Sequence, residues 1–312
     1  MSNFEIATIT LSPCLDKSTT VDKFVPEKKL KCSYPVLEAG GGGINVSRAL
    51  RNFQTDSFCI YISGGYTGRI LNNLVYHGQL NASPVTSDLY TRENFIVFEN
   101  HTHLQFRFGM PVNPIAPKEW KAVIRRLKLT KSKYVVLSGS IWPYLDEEFY
   151  IQLDKFVKKN NSRFIVDTAG VPLKTILRSG AFLIKPNQNE FSQLFGTKIL
   201  SAKEVVVKAK QMIKTGTVQN ILVSLGGQGA VLVSKKGVWQ FTPPKLKVKS
   251  TVGAGDTMVA GIVYQLNKDA TINDAVKFGI ACGSATTVNS GMQLASLEQA
   301  KAMLAKVKVK QI

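Results

Sequence analysis

Long hydrophobic runs are missing from this chain: no stretch approaches the roughly 18 consecutive apolar residues of a membrane-crossing helix, so no membrane partner is expected. The opening residues, MSNFEIATITLS, lack the basic-then-apolar layout of a secretory leader, and the reading is of a cytoplasmic protein. Cysteine is scarce. Cys14, Cys32, Cys59 and Cys282 lie far apart with no C-x-x-C spacing, which argues against a zinc knuckle or a redox pair and leaves free thiols. Among the 3 histidines, His101 and His103 stand two apart on an expected strand without an evident third ligand, so an exposed hairpin is the simpler reading than a metal site. Acidic residues are also few: 21 Asp and Glu stand against 40 Lys and Arg, a formal net charge of +19. Such a charge invites nucleic acid, yet the basic residues are dispersed and no helix-turn-helix, zinc-finger or RNA-binding pattern accompanies them. Nucleic acid is not expected as a partner; a positive field draws small phosphorylated substrates equally well. The Rossmann and Walker fingerprints are absent too, so any nucleotide is held by another scheme.

What is present is a regular alternation. At 312 residues and 44% hydrophobic, the chain can bury a large core. Strand-length apolar runs (residues 4–11, 57–63, 134–139, 163–168, 181–186 and 220–226) are separated by helical patterns, among them 44–53, 67–76 and 146–159. Continuous β-branched runs joined by amphipathic helices predict an α/β fold, a doubly wound, mainly parallel sheet covered on both faces. No repeat or long linker divides it, so residues 1–312 read as one domain. Segments 17–39 and 91–109 break the rhythm with period-two alternation, predicting short antiparallel strands that form a small β lid. The exposed edges of that lid point to a homodimer.

Glycine is concentrated where chemistry is expected. In TVGAGDTMVAG (251–261), Gly253 and Gly255 flank Ala254, and Asp256 follows at the mouth of an apolar helix. The glycines let successive N–H groups face one side, and the helix adds its own unpaired N–H groups and positive dipole end, which together make an anion cradle. A carboxylate repels the anion such a cradle holds, and that placement is useful to a base beside a transferring phosphoryl group; the plain alternative is a helix cap. EAGGGGINVSRAL (38–50) sets four glycines before a helix whose first turn carries Asn45, implying close backbone approach. KPNQNEF (185–191) places Lys185, Asn187 and Glu190 just past a strand end, where open α/β sheets bind ligands, and VSLGGQGAVL (223–232) supplies a further glycine turn between strands.

In this order and at this spacing, GGGGINVSRA, SGS (138–140), KPNQNE, VSLGGQGA and TVGAGD resemble the motifs of the ribokinase-like, PfkB-type carbohydrate kinases over nearly the whole chain. The third glycine of the run, Gly42, is typically lysine in the family's 1-phosphofructokinases and tagatose-6-phosphate kinases, so the pattern is most similar to the 6-phosphofructokinase branch. The resemblance implies MgATP-dependent phosphorylation of fructose 6-phosphate at its 1-hydroxyl. Its alternatives are the two neighbouring activities or, outside the enzymes, a regulator that binds sugar or nucleotide without turnover. It implies that Asp256 is the base and that backbone amides from Val252 through Gly253, Ala254 and Gly255 steady the γ-phosphoryl group. Asp16, Gly41, Gly42 and Asn45 should surround the sugar, with Arg92, Ser140 and Lys29, of this or a second subunit, on its phosphate. Lys185, Asn187, Ser224, Gly226, Gly229, Thr251 and Gly283 should meet ATP, and Glu190 should organise Mg²⁺ through water. Ser250, the Val252 carbonyl, Thr286 and Asn289 are the implied ligands of K⁺. Taken singly, Asp16 reads as a turn residue, Lys29 as a solvated lysine, Arg92 as half of a surface ion pair and Glu190 as a first-turn helix residue. The chain departs from the family at WPY (142–144) and at Val112, which puts the identity of the sugar in question.

Overall fold

The computed structural model describes residues 4–198 and 201–312; residues 1–3 of the N-terminal stretch read above lie outside them. The chain runs through β1 (Ile6–Thr10), β2 (Cys14–Val21), β3 (Val36–Gly40), α1 (Gly42–Asn52), β4 (Phe58–Gly64), α2 (Gly65–His77), β5 (Asn81–Ser87), β6 (Arg92–Glu99) and β7 (Gln105–Phe108). It continues with α3 (Pro117–Leu127), β8 (Tyr134–Ser138), α4 (Glu147–Lys159), β9 (Arg163–Asp167), α5 (Gly170–Ser179), β10 (Ala181–Ile184), α6 (Gln188–Phe195) and α7 (Ala202–Lys214). The last third comprises β11 (Val218–Ser224), β12 (Ala230–Ser234), β13 (Gly237–Thr242), α8 (Ala254–Leu266), α9 (Ile272–Thr287), α10 (Leu297–Leu304) and β14 (Lys308–Gln311).

Ten strands form the main sheet in the order β14-β13-β12-β11-β10-β9-β8-β1-β4-β5. Pairing is parallel from β5 across to β11 and antiparallel from there to β14. Alternate strand residues feed two cores. Ala7, Ile9, Val135, Leu137 and Val166 pack with α3, α4 and α7 on one face, while Ile6, Tyr134, Val136 and Ile165 pack with α1, α8 and α9 on the other. A run apolar at every position is what a strand needs when both its faces are covered, so the expected doubly wound α/β architecture follows. The chain enters mid-sheet at β1, builds out through β4 to β5, then returns to β8 on the other side of β1. The order reverses between β1 and β8, and the region beyond the carboxyl ends of the strands at such a switch point, hereafter the crevice, is where open α/β sheets bind ligands.

The small sheet corrects one expectation. Its four strands run β3-β2-β6-β7, and the central pair β2 and β6 is parallel, with antiparallel partners only outside it. Both β2 and β6 are entered from the carboxyl ends of parallel main-sheet strands, β1 and β5, so they leave in the same direction; period-two alternation in sequence carries no information on that. Within 17–39, pairing is confined to the ends, with a lone bridge between Val21 and Cys32 between them. His101 and His103 lie on the hairpin turn between β6 and β7 and not on a strand, and among the described residues no cluster of three or more histidine, cysteine or carboxylate side chains is placed to hold a metal.

Candidate functional site

The register of the small sheet builds half of the site. Cys14 stands opposite Arg92 and Gly40, and Asp16 opposite Asn94 and Glu38, so all these side chains share the face turned toward the crevice. Asp16 is buried, at 7% exposure, and one carboxylate oxygen accepts from both the Cys14 thiol (3.2 Å) and the Asn94 amide (2.9 Å). Burial raises its pKa above the ordinary carboxylate value, while those two donors and Arg92 oppose the rise. Gly40 is required beside it: a Cβ there would strike the Asp16 carboxyl and come within 2.7 Å of the Cys14 sulfur. Asp16 is therefore a buried strand residue and not a turn residue. Arg92 forms no surface ion pair; its guanidinium donates to the carbonyls of Met110 (2.9 Å) and Ser12 (3.3 Å), and its buried Nε has no partner.

The glycine run crosses the switch point at close range. Gly41 holds φ at +116° against Thr10 and Pro13, a Cβ on Gly42 would collide with the Ser138 hydroxyl and the Gly139 nitrogen (2.6 Å), and one on Gly43 would meet Thr10 Oγ1 at 2.6 Å. Any side chain at Gly42 would therefore need the backbone at Ser138–Gly139 to give way, whatever its bearing on substrate. The run also delivers α1 with Asn45 in its first turn, whose Nδ2 donates to Asp256 Oδ2 at 2.8 Å across 211 residues of sequence.

The other half is the start of α8. Gly253 caps it in the left-handed conformation, φ +72°, and Asp256 sits in the first turn. The Ala254 amide lies 3.4 Å from the Thr251 carbonyl, and the first i→i−4 bond of α8 runs from the Thr257 amide to the Gly253 carbonyl, so the amides between them have no acceptor within the helix. Gly253, Ala254 and Gly255 thus form the turn that opens α8, the segment read from sequence as a cradle. Asp256 keeps part of its surface open to the crevice, yet the protein packed around its carboxyl pushes its pKa up to about 6. Burial is the main cause and the Asp167 charge adds to it, while Asn45 and Lys185 pull the other way.

Asp167, at the end of β9, had no signal in the sequence beyond closing a strand. It pairs with Lys185 at 3.0 Å, and Lys185 is only 5% exposed, with its ammonium 3.5 Å from where a Gly255 Cβ would stand. Burial works against the Lys185 charge, but the charge and hydrogen bond of Asp167, together with the Glu190 and Asp256 charges, hold the ammonium above its ordinary pKa. Lys185 accordingly supports the cradle from beneath. Asn187 and Glu190 form a reciprocal cap on α6: Asn187 Oδ1 accepts from the Glu190 amide (2.9 Å) and the Asn187 amide donates to Glu190 Oε2 (2.8 Å). Burial and the Asp167 charge hold the Glu190 carboxyl above its ordinary value despite that bond. Ser224 bridges to Asn187 in parallel, and the turn after it uses positive φ at Gly226 and Gly229, where a Cβ on Gly229 would strike the Phe241 carbonyl.

Other predicted residues are placed differently. Gly283 lies on α9 facing α8, with a Cβ position 3.0 Å from the Ala254 carbonyl; it lets α9 support the cradle. Lys29 and Ser140 are exposed, and among the described residues neither makes a hydrogen bond or ion pair within the chain. Thr251 accepts from Arg107 Nη2 at 3.0 Å. Arg107 was not foreseen, because nothing in the alternation of residues 91–109 says which strand residue leans on the cradle. Ser250 to Val252 are brought to the C-terminus of α9 by the amides of Lys249 (2.8 Å) and Ser250 (3.3 Å), both donating to the Thr287 carbonyl. The side chains of Thr286 and Asn289 are engaged internally, Asn289 with Gln299 and Thr286 with the Cys282 carbonyl and the Ala295 amide. Of the family departures, Trp142 and Tyr144 pack on each other at 5.7 Å and line a surface groove with Pro114 and Ile115.

This arrangement can hold a polyanion at the cradle, bury a hydroxylated ligand against Asp16 and accept a proton at Asp256. The pattern of the pfkB family carbohydrate kinases matches residues 8–300. The chain is 36% identical over 293 residues to the ATP-dependent 6-phosphofructokinase isozyme 2 of Escherichia coli, covering 93% of this chain and 95% of that one. It is 33% identical over 309 residues to the 1-phosphofructokinase of Borreliella burgdorferi, covering 98% and 99%. Phosphofructokinase-2 from Escherichia coli, solved in complex with potassium, superposes with a TM-score of 0.92 at 35% identity over 98% of this chain and 99% of that one. The same enzyme solved in a tetrameric inhibited form gives 0.90 at 35% identity, over 97% and 99%. With this sheet, a family pattern matched over residues 8–300 and relatives at 36% and 33% identity, the chain belongs to the pfkB family of carbohydrate kinases.

Proposed function

We propose that this kinase transfers the γ-phosphoryl group of ATP to the 1-hydroxyl of fructose 6-phosphate. The observation that carries the reading is Asp256, a carboxylate with pKa about 6 held at the cradle by Asn45 in a chain 36% identical to a 6-phosphofructokinase. Asp256 takes the proton of the attacking hydroxyl as that oxygen bonds to the γ-phosphorus. The bond from phosphorus to the bridging oxygen breaks, and ADP leaves with the electron pair. Amides of the first turn of α8 stabilise the equatorial charge, and Asp16 orients the sugar from the small sheet. Arg92, Ser140 and Lys29 are the donors for the remote phosphate, and Arg107 reaches the cradle from β7.

Asp167 and Glu190 would hold Mg²⁺ through water. Their fit is electrostatic, since the Asp167 charge raises both Glu190 and Asp256, a repulsion that a bound cation relieves. When bound, Mg²⁺ neutralises phosphate charge. Loop 250–252 fits K⁺ through backbone carbonyls, because it meets the electronegative end of α9 while the Thr286 and Asn289 side chains are already occupied. The chain is further read as a homodimer through the outer face of the small sheet, which exposes Phe95, Phe106 and Phe108 on one side by register.

The test is a panel of fructose 6-phosphate, tagatose 6-phosphate, fructose 1-phosphate and free fructose with MgATP, with ADP release measured and the product assigned by NMR. Charge-assisted phosphate bonds are worth about 1.5–3 kcal/mol each, so kcat/KM for fructose 6-phosphate should exceed that for fructose by several orders of magnitude. Preference for fructose 1-phosphate would transfer the chain to the activity of its 33% identical relative. Binding without ADP release would make it a regulator.

A further inference from the structure

One side chain in the site's frame is assigned no part in the reaction above, yet through Asn45 it links both halves of that frame. Arg48 lies one turn after Asn45 on α1 and is half-buried. Its Nη1 donates to Asn45 Oδ1 at 3.2 Å and to the Ala39 carbonyl at 3.0 Å, while Nη2 pairs with Glu38 Oε1 at 2.9 Å. Glu38 and Ala39 belong to β3 of the small sheet; Asn45 holds Asp256 of the main body. An unbroken chain of hydrogen bonds therefore runs from the lid sheet to the base.

We infer that Arg48 is a positioning residue for the reaction: it fixes Asn45 in the sense that donates to Asp256, and through β3 it ties that donation to the placement of the small sheet. A carboxamide has an acceptor end and a donor end, and guanidinium has donors only. With Arg48 on Oδ1, the NH₂ must face Asp256, where it stabilises the ionised carboxylate. Rotated by half a turn, Asn45 would set its NH₂ against a cation and its carbonyl oxygen against an anion. It could then satisfy Asp256 only if Asp256 carried a proton. Arg48 thus selects the charged base by excluding the amide orientation that the protonated base prefers.

The selection matters because the surroundings of Asp256 pull in opposite directions. Asp167 from the end of β9 and Asp16 from β2 disfavour its charge, as does burial, whereas Lys185 after β10 and Asn45 on α1 favour it. Asn45 contributes its share only while correctly turned. Movement of β3 away from α1 would take Glu38 and the Ala39 carbonyl from Arg48 and loosen the amide, so the base is most readily ionised when the small sheet is in place over the sugar.

This inference rests on Asp256 being the base, and the experiment separates the two. Protein labelled with ¹³C at aspartate carboxyls is titrated by NMR, the Asp256 signal being identified by its loss in Asp256→Asn, for wild type, Arg48→Met, Arg48→Lys and Glu38→Gln. The expected result is an Asp256 midpoint raised by about one pH unit in Arg48→Met, a tenfold change in its ionisation equilibrium. Arg48→Lys should bring the midpoint part of the way back, and Glu38→Gln should raise it by less. In turnover, Arg48→Met should lose about tenfold in kcat on the acid side and converge on wild type above about pH 8, with KM for the sugar within about twofold. An unchanged midpoint, or a loss of kcat by the same factor at every pH, overturns the assignment. Should Arg48→Met not fold, wild-type midpoints in both Arg48→Lys and Glu38→Gln overturn it equally. The titration needs no turnover, so a failure to phosphorylate any sugar would sink the proposed activity while leaving the role of Arg48 to be decided by the midpoints.

Discussion

Asp256 illustrates what a single residue costs and does. Its carboxyl rises from 3.8 to about 6 in the fold, so the native protein holds a proton in a pH range where the unfolded chain has released it. Between about pH 4 and 6 the native state binds more protons, and stability falls as pH rises through that window. Above it, the ionised Asp256 is a standing cost of folding, about 1.4 kcal/mol for each tenfold change in its ionisation equilibrium. Asp256→Asn should therefore be more stable than wild type at pH 7.5, by on the order of 1–3 kcal/mol in urea unfolding, with the difference gone below about pH 4. The same variant should lose roughly 10²–10⁴ in kcat while binding both ligands within a few-fold, and wild-type kcat should fall as pH drops through about 6. Near-full turnover in the variant would remove Asp256 from the chemistry. A stable variant with little activity is the signature of a strained functional group, since side chains kept for packing lose stability when replaced. Asp167 and Lys185 differ in kind: each compensates the other's burial, so neither can be removed without leaving an unpaired charge.

Among the elements, α8 and α9 do the most to set the site. They approach closely because Gly261 and Gly279 face each other, a Cβ on Gly279 lying 2.7 Å from the Met258 carbonyl and one on Gly261 only 2.5 Å from the Cys282 sulfur. Gly283 continues the same contact under the cradle, facing Ala254. Gly279→Ala has to push α9 off α8, and an overpacked core site of this kind costs about 1–3 kcal/mol. Because the cradle is the first turn of α8, the displacement should also raise KM for ATP, which initial-rate kinetics beside an unfolding curve would check. Loss of stability with an unaltered ATP response would mean that the first turn of α8 is held from elsewhere, by Thr251 and Arg107 for example. The small sheet contributes by register and not by mass: Cys14, Asp16, Arg92 and Asn94 reach the crevice, while Lys17 and Phe95, one residue on, take the opposite face.

On the scale of the whole molecule, the outward face of the small sheet is the feature left without a covering element. Phe106 and Phe108 are 37% and 46% exposed, and Phe95 completes the patch. Phe108→Asp should shift sedimentation from dimer to monomer at micromolar protein, with the far-UV spectrum unchanged, since the side chain stands on the solvent side of an edge strand. A wild-type monomer at that concentration would refute the interface. The net charge of +19 has no comparable structural focus: exposed lysines are spread over α3, α4, α5, α7 and α10, and surface pairs such as Lys133 with Asp269 contribute little to stability.

Much of this protein was determined by local sequence. Strands apolar at every position, helices with one apolar stripe and glycine at three tight turns follow from burial on two faces, one face and none, and these suffice for the doubly wound sheet and for the cradle with its aspartate. The capping pair Asn187 and Glu190 is equally local, three residues apart on one turn. Tertiary structure alone decided which distant residues meet. Asn45 finds Asp256, Lys185 finds Asp167, Arg107 finds Thr251 and Arg48 finds Glu38, because crossovers return separate strand ends to one crevice and because β2 and β6 leave the main sheet in the same direction. Those meetings depend on strand order and register, and neither is written in periodicity. The ionisation of Asp256 depends on them in turn, since desolvation and neighbouring charge are properties of the assembled fold and of no single segment.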